Sequence, residues 1–140
     1  MTGDDVQAYS ATKRCADYYQ FGFNKDNAPS TFWSTCYSII QNANIVINNI
    51  DNIAYEGEDE EGKILFAAYR NDLKGQALAI RALALFDITR LYGYPYLKDN
   101  GASLGGAIVE EVVDVTYKPK RSTVAQCYEK IIEYLTKAIP

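Results

Sequence analysis

Histidine is absent from all 140 residues. That zero removes Ser-His-Asp and Cys-His nucleophile arrangements and most zinc sites. Cysteine is scarce: Cys15, Cys36 and Cys127 form no CxxC pair, and an odd number leaves at least one thiol outside any intrachain disulfide. Buried small hydrophobes are the plain reading. No 18-residue apolar run is long enough to span a bilayer, and Met1-Thr2-Gly3-Asp4-Asp5 is not the start of a secretory signal. Met1 is the sole methionine and reads as an initiator on a trimmed chain, so the sequence is expected to be part of a longer protein. A basic surplus is lacking too. With 14 basic against 18 acidic residues the net charge is −4, and no stretch could track a phosphate backbone. Nucleic acid and an anionic membrane surface are therefore poor partners.

What is present suits one folded domain, because 48% apolar residues is a normal globular share. Residues 1–29 mix polar and aromatic groups, with a short helix expected around residues 5–20. Residues 30–140 read as a helical scaffold. Ser30 or Thr31 offers an N-cap, and from Thr31 to Ile53 the stripe Trp33, Tyr37, Ile40, Asn44, Ile47 steps by four, three, four and three. Ile39, Ala43, Val46 and Ile50 are expected to widen it. Asn44 is the polar intruder on this stripe and calls for a fixed hydrogen-bond partner. The further asparagines at 42, 48, 49 and 52 are poor helix formers, so tertiary packing must hold the segment.

The run from Glu56 to Gly62 reads as a solvated acidic turn, since it lacks the alternating ligands of a calcium loop. A long helix is expected from about Lys63 to Tyr92, apolar on most of its circumference between Ala77 and Leu91 and hence buried among others. Within that arc sits Arg81. At ~100° per residue from Ala77 it falls at about 40°, beside Ile88 and Leu85, while Asp87 faces away at about 280°. A buried guanidinium stays charged and must be paired or bonded, so helix-end carbonyls, Asp51 or the Asn44 amide are its expected partners. Gly93 is expected to close the helix as a left-handed C′ glycine. The irregular connection Tyr94 to Lys120 follows, with one strand-like run from Ala107 to Val115. Its length points to a functional or contact-making segment. Gly101 to Gly106 is not a P-loop, because no Lys-Ser or Lys-Thr follows. Thr123 and Gln126 form a capping box, and a final helix shows the stripe Val124, Tyr128, Ile131, Leu135, Ala138. The fold class is all-α: antiparallel helix pairs of tetratricopeptide-like type with a long irregular connection, although the strict 34-residue signature is missing.

The order of motifs is more specific than any one of them. Trp33-x3-Tyr37-x2-Ile40-x3-Asn44 is followed by Gly75-x-Ala77-x3-Arg81-Ala82-x3-Phe86, by Leu91-Tyr92-Gly93, and by Arg121-x-Thr123-Val124-x3-Tyr128-x2-Ile131. Over about residues 30 to 140 this resembles the SusD/RagB family of outer-membrane nutrient-binding lipoproteins of Bacteroidetes-type bacteria. The resemblance implies a surface-exposed lipoprotein of the outer membrane that binds an oligosaccharide or polysaccharide and hands it to a SusC-like TonB-dependent transporter. It further implies that these residues are the N-terminal portion of a larger SusD-like fold, with a lipid anchor on a preceding segment that is not Cys15. Two positions depart from the pattern: Gln76 stands where the family often has glutamate, and Tyr134 where it often has aspartate.

Sugar sites combine flat aromatic faces with planar polar groups. Trp33 and Tyr37 lie on the helical stripe and read as core first. Tyr18, Tyr19, Phe21 and Phe23, beside Asn24, Lys25 and Asp26, fall outside any stripe and are the leading ligand-binding candidates. Tyr94 and Tyr96 are the second pair, with docking onto the rest of the protein as the plainer reading. Arg81, Asn44 and Trp33 are expected to form a structural hub. No cofactor, metal site or catalytic residue is expected, since no acid sits in an apolar motif that would raise its pKa for glycosidase chemistry. The competing function is a helical-repeat module that binds a protein through Tyr94 to Lys120.

Overall fold

The computed structural model describes residues 30–139, and from Trp33 onward the chain forms one compact unit. The expected helix at residues 5–20 and the aromatic candidates Tyr18 to Asp26 lie outside the described residues. Three α-helices carry the fold: α1 (Ser30–Asn49), which runs on into a 3-10 turn at Ile50–Asn52, α2 (Glu60–Tyr92) and α3 (Val124–Ala138). Among the described residues there is no strand, only one isolated bridge between Leu104 and Thr123.

Both flanking helices run antiparallel to α2, as the order of their contacts shows. Along α1, Trp33 meets Tyr92, Asn44 meets Arg81 and Asp51 meets Lys74. Along α3, Ala138 meets Gly75, Tyr134 meets Arg81 and Tyr128 meets Phe86. The core between them holds Ile40, Ala43, Ala82, Leu85, Ile88, Val124, Cys127 and Ile131, and both Cys36 and Cys127 are buried thiols.

α1 buries the expected residues Ile40, Ala43, Asn44 and Ile50, with Trp33, Tyr37 and Ile47 half-buried. Ile39 and Val46 do not widen the stripe, for they are exposed. α2 starts earlier than expected, at Glu60. Asp59 caps it by accepting the Gly62 N–H at 2.5 Å, and Glu60 and Glu61 face the positive end of the helix dipole, so half of the acidic turn is helix N-terminus. α2 is not covered all round. Ile80, Leu83 and Leu91 are exposed because α1 and α3 occupy only part of its circumference. The inner face of α3 is also rotated from the expected stripe: Val124, Cys127, Ile131 and Tyr134 are buried, while Leu135 is exposed and Tyr128 half-buried. The capping box is present, with Gln126 N–H donating to Thr123 at 3.2 Å and Thr123 N–H donating to Gln126 at 2.9 Å.

Gly93 does not adopt the left-handed conformation. Its φ of −96° and ψ of 167° are extended, and a Cβ there would lie 2.5 Å from the Thr89 carbonyl oxygen and 3.0 Å from Val124. Close approach, not handedness, demands glycine. The trailing carbonyl of α2 is satisfied instead by Arg121, whose Nη2 donates to Tyr92 at 2.9 Å and whose Nε donates to Gly105 at 2.6 Å. That places a cation at the negative end of the dipole. Positive φ is found at Asn100 (53°) and Gly101 (76°), in the turn that Asp99 closes by accepting the N–H groups of Ala102 and Ser103.

Candidate functional site

The run from Ala107 to Val115 was expected to be strand-like, yet it pairs with no strand among the described residues. Along Ala107–Val113 its backbone groups are bonded by side chains of α1. Tyr37, Gln41, Asn44 and Asn48 are spaced by four, three and four residues, so they line one face of that helix. The Tyr37 hydroxyl accepts the Ala107 N–H at 2.6 Å and donates to the Ala107 carbonyl at 3.1 Å. Gln41 does the same for Val113, its amide donating at 2.8 Å and accepting at 3.3 Å. Asn44 donates to the carbonyls of Val109 and Glu111, at 3.1 and 3.0 Å, and Asn48 reaches the Glu111 carboxylate. These side chains do the work of a neighbouring strand, which is why asparagine and glutamine occupy a helix they otherwise weaken.

Behind this ladder lies Arg81, 5% exposed. Its Nη1 donates to Asn44 Oδ1 at 2.8 Å, so the Asn44 amide turns its oxygen to the guanidinium and its nitrogen to the connection. The guanidinium carbon lies 3.9 Å from the centre of the Tyr134 ring. Tyr134 occupies the position where the resemblance leads one to expect aspartate, and a cation–π contact stands where an ion pair would. Burial pushes the Tyr134 hydroxyl far above its ordinary range. The nearby Glu110 carboxylate adds to the shift without completing a hydrogen bond. Asp51 pairs with Lys74, not with Arg81.

Between α1 and the connection runs an open groove of about 880 Å³, near the upper end of the ~300–1,000 Å³ usual for ligand sites. α1 contributes Trp33, Ser34, Tyr37, Ser38, Gln41 and Asn42; the connection contributes Val113, Asp114, Val115, Tyr117, Pro119 and Arg121. Trp33 is packed on several sides, 5.0 Å from the Tyr37 ring and 4.9 Å edge-on from Tyr92, with the Arg121 guanidinium 5.8 Å away. Burial pushes the Tyr37 hydroxyl up as well. Tyr117 differs, being about half exposed with no ring partner among the described residues. Asp114 has one carboxylate oxygen accepting from the Thr116 N–H and hydroxyl at 2.7 and 2.5 Å, and these bonds, the hydroxyl first, hold its pKa below the ordinary value. Among the described residues its other oxygen and the Asn42 amide make no hydrogen bond, so a flat ring, a carboxylate and an amide all belong to residues lining one groove.

Tyr94 and Tyr96 do not line it. They sit on the turn after Gly93, where Lys98 lies 3.8 Å from the Tyr94 ring and Tyr96 packs edge-on against Tyr128 at 5.9 Å. Asn42, Asp114 and Tyr117 were not legible as candidates. The available signal was the Asp-x-Thr turn at Asp114 with a tyrosine beside it.

Antiparallel helices that hold an irregular connection by side-chain bonds, and carry a groove on it, define a helical scaffold for ligand binding. The chain belongs to the SusD-like family described as starch-binding and associating with the outer membrane, whose family model matches residues 2–140. Among solved structures, it is 56% identical to a Bacteroides vulgatus protein provisionally named as sugar binding, with a TM-score of 0.81 over 98% of this chain and 29% of that one. A SusD superfamily protein of Bacteroides thetaiotaomicron is 38% identical, with a TM-score of 0.73 over 91% of this chain and 27% of that one. Another from Bacteroides vulgatus is 40% identical, with a TM-score of 0.70 over 89% and 27%. The chain thus spans less than a third of the solved structures it matches. No curated protein matches it.

Proposed function

We propose that the protein captures an oligosaccharide at the outer membrane and delivers it to a SusC-like TonB-dependent transporter, with the groove between α1 and Ala107–Arg121 forming part of the sugar site. The observation that carries this reading is that Tyr117, with no ring partner among the described residues, lines the same groove as the Asp114 carboxylate and the Asn42 amide. A tyrosine face stacks on the C–H side of a pyranose, and the two polar groups suit its hydroxyls. The family's starch-binding description and the sugar-binding name of the 56% identical structure support the ligand class. The family's outer-membrane association supports the location, as a lipoprotein anchored through a preceding segment. Leu97, 90% exposed and outside the groove, suits a protein contact made by the same connection, and the transporter is the partner we assign to it.

The test is titration calorimetry of the full-length protein with maltoheptaose, soluble starch and a panel of other polysaccharides, using wild type and Tyr117→Ala. One member should bind, and the substitution should weaken it by about fivefold, the worth of one aromatic contact of ~1 kcal/mol, without lowering the melting temperature. Binding of no glycan at millimolar concentration, or equal binding by Tyr117→Ala, overturns the reading. A stable complex with a protein alone would favour the interaction-module function.

A further inference from the structure

The groove has two walls of unequal stiffness. One is the helix α1; the other has no backbone ladder of its own, and along Ala107–Val113 its backbone groups are bonded by α1 side chains, while Lys130 of α3 holds the Glu110 carboxylate at 3.3 Å. Within that set Asn44 is singular. Tyr37 and Gln41 line the groove, whereas Asn44 is fully buried beneath it and touches no ligand space. It grips two alternate carbonyls of the connection, Val109 and Glu111, and its own orientation is fixed by the Arg81 bond to its oxygen. An amide offers both a donor and an acceptor; the guanidinium can take only the acceptor, so the NH₂ group must point at the connection. Arg81 is in turn held against the Tyr134 ring. The chain of contact therefore runs from α3 through α2 and α1 to the wall of the groove formed by the connection, ending two residues before Val113 and three before Asp114.

We infer that Asn44, oriented by Arg81, is the positioning residue of the sugar groove: it sets the distance of Val113, Asp114 and the following Tyr117 from α1, and so controls glycan affinity without touching the glycan. This rests on the groove being the sugar site. It also gives the buried arginine a role in binding, exerted through one amide.

The variant that separates grip from packing is Asn44→Asp. It keeps the size of the side chain and an acceptor for Arg81, now charge-assisted, but removes the only donor to the two carbonyls. In the full-length protein the melting temperature should fall, because a buried carboxylate oxygen then faces two carbonyls, while the protein stays folded at about 25 °C. Amide hydrogen exchange across residues 107–117 should accelerate, while α1 and α2 remain protected. Affinity for the oligosaccharide identified by calorimetry should fall by about fivefold, as expected when a wall held by a hydrogen bond of ~1 kcal/mol is released. A merely structural role would lower the melting temperature and leave the affinity of the folded fraction unchanged, which overturns the inference, as does faster exchange with wild-type affinity. Should Asn44→Asp fail to fold, wild type decides: the oligosaccharide should slow exchange at Ala107 and Val113, whose N–H groups bond Tyr37 and Gln41, if the wall closes on the ligand, and unchanged exchange there refutes it. Failure of wild type to bind any glycan is the separate result that removes the sugar reading.

Discussion

Replacing Arg81 by alanine should cost about 4 kcal/mol of folding stability. The guanidinium is 5% exposed and, among the described residues, forms no salt bridge; its charge is met by Asn44 Oδ1 at 2.8 Å and by the Tyr134 ring at 3.9 Å. A hydrogen bond to a charged group contributes ~1.5–3 kcal/mol and a desolvated cation–π contact ~2 kcal/mol. Their sum agrees with the ~3–5 kcal/mol lost when a buried charge network is broken by removing one partner. The opposing term is the desolvation of the guanidinium itself, which disappears with the side chain. Arg81→Met isolates it, since methionine refills much of the space and removes the desolvation cost while still orphaning the Asn44 oxygen at ~1–3 kcal/mol. Urea denaturation followed by circular dichroism should therefore rank wild type above Arg81→Met and that above Arg81→Ala. An Arg81→Met protein as stable as wild type or more so would refute the reasoning, because the guanidinium's contacts would then not exceed its burial cost.

Gly75 sits inside α2, where alanine normally gains ~1 kcal/mol over glycine, yet a Cβ there would lie 2.8 Å from the backbone carbonyl of Ala138. Gly75→Ala should therefore destabilise, by about 1–3 kcal/mol as overpacking does, and a raised urea midpoint would show that α3 yields freely at its end. Stability should also depend on acid through Glu133, whose bonds first to Lys137 and then to Lys130 lower its pKa from 4.5 to about 2. A carboxylate depressed in the folded state contributes stability that is complete above about pH 4.5 and is lost as the pH falls toward about 2. The melting temperature of Glu133→Gln should fall less steeply across that window than that of wild type, and parallel curves would remove Glu133 from the account.

The helices were legible because periodicity and capping are local. The Trp33 stripe, the body of the Lys63 to Tyr92 helix and the Thr123–Gln126 box each rest on residues within a few turns of one another. The face of α3 was less so, since Val124 and Ile131 begin two overlapping stripes, and only the Arg81 guanidinium decides that Tyr134 and not Leu135 turns inward. The connection was hardest for the same reason in stronger form. Its alternating valines do suit an extended backbone, but whether that backbone joins a strand depends on what supplies its donors and acceptors, and here they come from residues 65 to 72 positions away on a helix. Asn44 marked the gap: a polar side chain on an apolar stripe states that a partner exists without saying which. Two partners were in fact required, because one amide face meets a cation and the other two carbonyls, and a single asparagine thereby ties the arginine of α2 to the wall of the groove.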